Sequence, residues 1–205
     1  MKTKNIFLTA FVVILLTVKG FSQKSLIYGT TASDWAYKYV YFYDPQTKVL
    51  LSSPIIDHKF NIEIDKPNGF KILMLNFNTY LLSTYKELLE SPEYGYVNGS
   101  RIIALEDTVQ ISLIDKTQNA IVKGKSLNKD IDDMYVTIKT RKYTNFFEQH
   151  SNSPVSLIFL KTLVQNVIDG SSFFNYIECK LWFNKLSEKV KSSNEGKEIS
   201  KMLGD

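Results

Sequence analysis

The chain has 205 residues, with 25 Lys+Arg against 21 Asp+Glu, one cysteine, nine glycines and five prolines. So few glycines and prolines exclude a disordered or collagen-like chain, and a single cysteine excludes an internal disulfide. With 13 Phe, 12 Tyr and 2 Trp, there is ample apolar material for the core of one domain or two small ones, and stability must come from burial.

The first segment, 1–22, reads as a secretory signal peptide. Lys2 and Lys4 form a basic head, Ile6 to Val18 runs almost without a polar side chain, and Gly20-Phe21-Ser22 precedes a cut before Gln23. The apolar run spans only about 20 Å as a helix, short of the roughly 20 apolar residues needed to cross a bilayer. Cleavage is therefore expected over a retained anchor, with no stable membrane span afterwards. No cysteine lies at the cut to carry lipid. Lys2, Lys4 and Lys19 leave with the signal, so the mature chain carries 22 Lys+Arg against 21 acids. A nearly neutral chain without a basic run excludes nucleic acid as a partner. The expected location is periplasmic or secreted.

Residues 23–125 read as a β-sandwich. Leu26 to Thr30 is a first strand. Trp35, Tyr37, Tyr39, Tyr41 and Tyr43 alternate with Ala36, Lys38, Val40, Phe42 and Asp44 at strand period. Asp44-Pro45-Gln46-Thr47 is a turn. Lys59 to Ile64 alternates again, Pro67-Asn68-Gly69 breaks the chain, and Phe70 to Phe77 is a nearly continuous apolar strand. Leu81 to Leu89 follows helical spacing, ended by Pro92, and Asn98-Gly99 is a turn. Val109, Ile111 and Leu113 alternate, and Ile121-Val122 opens a last strand closed by Gly124. Short strands at this spacing predict an antiparallel sandwich.

Residues 126–205 read as three to four helices. The spacing predicts one helix capped by Ser126, with Leu127, Ile131, Met134, Tyr135, Ile138, Phe146 and Phe147 inward. A second is capped by Ser153-Pro154 and stopped by Gly170. A third starts at Ser172, with Phe173, Ile177, Leu181, Trp182 and Leu186 inward. Ser192 with Glu195 predicts a capping box for a short last helix. The fold class is therefore α+β, strands first and helices after.

Candidate chemistry is sparse. Cys179 has no partner thiol, and its expected place is the core. His58 and His150 are too far apart in sequence to suggest a zinc site, so no metal or cofactor is expected. His150 with Ser151 or Ser153 suggests a Ser/His pair, but the Ser153 hydroxyl is better explained as a helix cap, and no nucleophile elbow exists. Asp130, Asp132 and Asp133 suit a helix start and lack the glycine and distal glutamate of a calcium loop. Asp57, Glu63 and Asp65 offer no defensible acid/base pair. Asn98-Gly99-Ser100 matches a glycosylation triplet, which the turn explains equally well.

The aromatic row is the one surface candidate. Trp35, Tyr37, Tyr39, Tyr41 and Tyr43 would stand about 7 Å apart on one strand face. Such a row stacks sugars or anchors a partner if exposed, and belongs to the core if dry.

The order of features resembles the N-terminal domain of unknown function that precedes the thioredoxin-like domain in exported TlpA/ResA-like thiol–disulfide oxidoreductases of Gram-negative bacteria. The carrying residues are Tyr39-Val40-Tyr41-Phe42, Ile55 to Ile62, Ile121 to Asn128, His150 to Leu157 and Leu186 to Lys197. The family often has Asn-Gly or Asp-Gly where His58-Lys59 stands. Its activity sits in a downstream domain with Trp-Cys-x-x-Cys, which would begin where this chain stops. The resemblance thus implies a fold and a periplasmic address, and it carries over no catalytic residue. The expected function is an exported non-catalytic module, binding or accessory in role, with an envelope protein or a glycan as its candidate partner. The alternatives are a component of a thiol–disulfide system without its own redox motif, or a glycan binder using the aromatic row.

Overall fold

The computed structural model describes residues 23–32, 36–66, 69–93, 99–171 and 173–204. The predicted signal segment, Trp35, Pro67-Asn68, Asn98 and Ser172 lie outside the described residues. The fold is mixed α+β. Its strands are β1 (Lys24–Thr31), β2 (Tyr39–Tyr43), β3 (Leu50–Pro54), β4 (Lys59–Asp65), β5 (Ile72–Asn78), β6 (Arg101–Ala104), β7 (Thr108–Leu113) and β8 (Ile121–Lys123). Among the described residues the helices are α1 (Tyr85–Glu90), α2 (Ser126–Thr140), α3 (Tyr143–Gln149), α4 (Pro154–Ile168), α5 (Tyr176–Lys185), α6 (Glu188–Lys191) and α7 (Asn194–Met202). None is long and apolar enough to cross a membrane.

Among the described residues the strands form two four-stranded sheets, in the orders β4-β1-β7-β8 and β3-β2-β5-β6. Strict alternation in β1 sends Ile27 inward and Leu26 and Tyr28 outward. One apolar cluster draws on both sheets, including Ile27, Phe42, Phe60, Leu75, Phe77, Ile103 and Ile111. The expectation of an antiparallel arrangement needs one correction. β1 and β7 run parallel, with Ile27 opposite Val109 and Gly29 opposite Ile111. A parallel pair needs a long crossover, and all four strands of the second sheet, together with β4, lie in that connection.

At the turn joining β3 to β4, Asp57 and His58 both have positive φ, 49° and 61°. Two left-handed residues in a two-residue loop match the right-handed twist of the flanking strands, and Asn-Gly normally serves this geometry best. His58 is thus a turn residue.

The helical part is more finely divided than expected. Arg141 at φ 57° ends α2, so the predicted first helix becomes two. Ser126 is the first helical residue, and the N-cap position belongs to Lys125, which makes no side-chain cap bond. Ser153 caps α4 as expected, accepting from the Val155 N–H, with Pro154 at the first position. α5 is capped by Asn175, which shares a reciprocal capping box with Glu178. Ser193, rather than Ser192, caps α7.

The inward face of α5 also needs correction. Phe173, which precedes the helix, and Ile177 and Leu181 on it are exposed, whereas Trp182 and Leu186 are buried as expected, together with Cys179 and Phe183. Ile138 on α2 is likewise exposed. The buried set joins a second apolar cluster with Phe146, Phe147, Phe159 and Leu160, against which Phe70 and Ile102 of the strand region pack. Helices and sheets therefore share an interface.

Candidate binding cleft

That interface contains a cleft of about 700 Å³. Among the described residues four separated segments line it. The turn after β2 contributes Gln46, and the β4–β5 connection contributes Gly69 and Phe70. The α3–α4 connection and first turns of α4 contribute Asn152, Pro154, Leu157, Ile158 and Lys161, and the C-terminal helices contribute Lys189, Val190, Ser193 and Glu195.

Local chemistry fixes each wall. Asp44 accepts from the Gln46 N–H at 2.9 Å and the Thr47 N–H at 3.2 Å, closing the turn that presents Gln46. The same carboxylate meets Lys71 Nζ at 2.8 Å, tying this turn to the segment carrying Gly69 and Phe70. Burial pushes the Asp44 carboxyl up, but the Lys71 ammonium, the Thr47 hydroxyl and the two backbone N–H groups outweigh it and hold it well below the ordinary carboxylate range. Opposite, α6 and α7 approach closely because residue 196 is glycine. A Cβ there would lie 2.4 Å from the Lys191 carbonyl oxygen and 2.5 Å from that of Val190.

The floor of the cleft is apolar, formed by Phe70, Pro154, Leu157, Ile158 and Val190. The rim is polar and charge-balanced. Lys161 donates to both carboxylate oxygens of Glu198, at 2.8 and 2.7 Å, while Lys189 and Glu195 stand on the rim with opposite signs.

No protein-family model matches the chain, and no curated protein matches it.

The predicted site residues are placed elsewhere. The aromatic row does not form an open face. Tyr41 and Tyr43 are buried beneath the segment that follows β5. The Tyr41 hydroxyl donates to the Tyr80 carbonyl at 2.8 Å and accepts from the Leu82 N–H at 2.6 Å. Burial pushes that hydroxyl's pKa up, partly offset by the Leu82 N–H. Tyr43 stacks on Tyr85 of α1, ring centroids 3.5 Å apart and planes 1° from parallel. Tyr39 is half-buried, and Tyr37 precedes β2 and packs its ring 6.1 Å from Phe77, in the other direction. The row is broken in direction and covered over its second half.

His150 and Ser153 are brought together, but not as a nucleophile and base. Asp130 stands between them. It lies 3.0 Å from His150 Nδ1 and accepts the Ser153 hydroxyl at 2.6 Å. The other imidazole nitrogen faces Asp133 at 3.4 Å, and Ser153 Oγ is occupied as the α4 cap. The group ties α2 to the α3–α4 turn. Among the described residues no set of three or more His, Cys, Asp or Glu is placed to hold a metal ion. Asp132, the third acid of the predicted cluster, pairs with Arg101 of β6. Glu63 pairs with Lys24 at 2.8 Å, and Asp57 serves the β3–β4 turn.

Cys179 is fully buried, as expected. Burial, with a smaller contribution from Glu178, pushes its thiol up to about 11. A thiol that resists ionisation is a poor nucleophile.

Proposed function

We propose that this protein is an exported, non-catalytic binding module that holds its ligand in the cleft between sheets and helices. Its fold is read as a β-sandwich followed by a helical segment, related to the domain that precedes the thioredoxin-like domain of exported TlpA/ResA-like oxidoreductases. One shared apolar core between the two sheets supports that architecture.

The observation that carries the binding reading is the cleft itself. Pockets of about 300 to 1,000 Å³ with apolar walls and a few polar groups are the usual form of a small-ligand site. The side chains that could supply chemistry are engaged in structure: the Cys179 thiol in the core, the Ser153 hydroxyl in a cap, and the His150 ring between two carboxylates. A glycan reading through the aromatic row is disfavoured by the burial of Tyr41 and Tyr43.

The test is native mass spectrometry of the protein as purified from cells expressing the full chain, alongside an Ile158→Asp variant. A co-purifying mass that the variant loses supports the reading, as does an N-terminus at Gln23. Reduction of insulin disulfides by the purified protein would overturn it in favour of a redox role.

A further inference from the structure

We infer that the cleft takes the single apolar tail of an amphiphile whose head is uncharged. This rests on the cleft being the binding site proposed above. Phe70, Leu157, Ile158 and Val190 converge on its floor from three parts of the chain, with Pro154 between them. A continuous apolar floor without a buried charge selects for hydrocarbon, because each methylene transferred from water gains about 0.8 kcal/mol. The volume, about 700 Å³, suits one tail of drug-like size rather than a pair of long chains.

The rim selects the head. Lys161 is already neutralised by two bonds to Glu198. An anionic head would meet Lys189 but also Glu195, and a cationic head would meet the same pair in reverse. Among the described residues Phe70 is the only aromatic ring in the lining, and it belongs to the floor, so these residues form no cage for an ammonium group. Gln46, Asn152 and Ser193 offer amide and hydroxyl groups at the mouth. A hydroxyl- or amide-bearing head meets these without the cost of stripping water from a charge.

The experiment follows Nile red fluorescence on protein purified from cells expressing the full chain. Three competitors share one ten-carbon tail: monodecanoyl glycerol, decanoate and decyltrimethylammonium, each kept below the concentration at which it aggregates. The glycerol ester is expected to displace the dye at concentrations about tenfold lower than either charged competitor. Removing one methylene from its tail should weaken it by about fourfold. Ile158→Asp should weaken all binding by at least about tenfold. Gln46→Trp, in an exposed turn that tolerates a large side chain, should do the same by filling the cleft and stands in if the first variant fails to fold. A charged competitor that binds more tightly than the ester overturns the ligand class and leaves the cleft as the site. Dye binding unchanged in both variants, or no displacement by any competitor, overturns the cleft and the proposed function with it.

Discussion

Asn128 of α2 pairs with both backbone groups of Ala104 in β6. The Ala104 N–H donates to Asn128 Oδ1 at 2.9 Å, and Asn128 Nδ2 donates to the Ala104 carbonyl at 2.9 Å. An amide side chain thus occupies the place of a neighbouring strand on the open side of β6, which is the last strand of its sheet. Two residues along, the Ile102 N–H donates to the Tyr135 hydroxyl at 3.0 Å. An exposed strand edge invites pairing with other chains, and α2 closes this one with side chains. The same contacts dock the helices on the sheets and so hold the cleft's two walls together.

Replacing Asn128 by Ala should therefore destabilise the protein by about 3 kcal/mol, because it leaves buried backbone groups unpaired. Asn128→Asp should cost more than Asn128→Ala. Its second oxygen would face the Ala104 carbonyl and Glu106 Oε2, which now accept from Nδ2. Urea denaturation of the variants checks the order.

Gly124 is coupled to the same network. A Cβ there would stand 2.1 Å from Glu106 Oε2 and 2.7 Å from Asn128 Nδ2. Glu106 cannot swing aside freely, since its other oxygen accepts the Leu127 N–H at 3.1 Å and caps α2 from a distance. Gly124→Ala should cost about 2 kcal/mol. Combined with Asn128→Ala, the loss should be smaller than the sum, because both break one network. Strict additivity in a double-mutant cycle would refute the coupling.

The legible parts of the sequence were those where one pattern fixed one face. The alternation of Phe60, Ile62 and Ile64 and the apolar run through Leu73, Leu75 and Phe77 marked β4 and β5, and Ser153-Pro154 marked the start of α4. Leu50 to Pro54 and Arg101 to Ala104 gave no such signal. Both are outer strands of their sheet, paired on one side only, and their composition is mixed. α5 misled for the opposite reason. Ile177 and Leu181 stand at a helical spacing as regular as that of Cys179, Trp182 and Phe183, and only the tertiary packing chooses between the two faces. The cleft was invisible because its lining comes from four segments scattered between Gln46 and Glu195. The role of Asn128 was invisible too, since a polar residue in a helix announces nothing about a strand 24 positions earlier.

Tyr41→Phe should keep the fold and lower stability by about 1 to 2 kcal/mol. The lost hydroxyl bridges the Tyr80 carbonyl and the Leu82 N–H, so the cost should be concentrated in the segment leading into α1. Hydrogen exchange should show faster opening at Leu82 while β5 amides keep their protection relative to global stability. Uniform loss of protection would argue against a local role.

Cys179 should be silent toward thiol reagents in the native protein. Its thiol is buried and pushed up to about 11, so at neutral pH it lacks both thiolate and access. Labelling with a disulfide reagent should proceed only as fast as the surrounding helices open, and should accelerate in Asn128→Ala. Immediate labelling of the unaltered protein would contradict the placement of this residue.

Asp44 gives the stability a specific dependence on acid. Its carboxyl lies well below the ordinary range in the folded protein, held there by Lys71, Thr47 and the turn's backbone N–H groups against the opposing effect of burial. In the unfolded chain it titrates near its ordinary value of about 4. Folding therefore favours the ionised form, and the stabilisation is complete above that unfolded value. It fades as pH falls through the interval down to the folded value, where both states become protonated. Asp44→Asn removes the charge that Lys71 faces and should cost about 2 kcal/mol at pH 7. The gap between variant and unaltered protein should narrow steadily below about pH 4. A gap that stays constant from pH 7 to pH 2.5 would mean that the turn depends on the shape of the side chain and not on its charge. Because the same turn presents Gln46 to the cleft, dye binding should weaken in Asp44→Asn at neutral pH even where the protein remains fully folded.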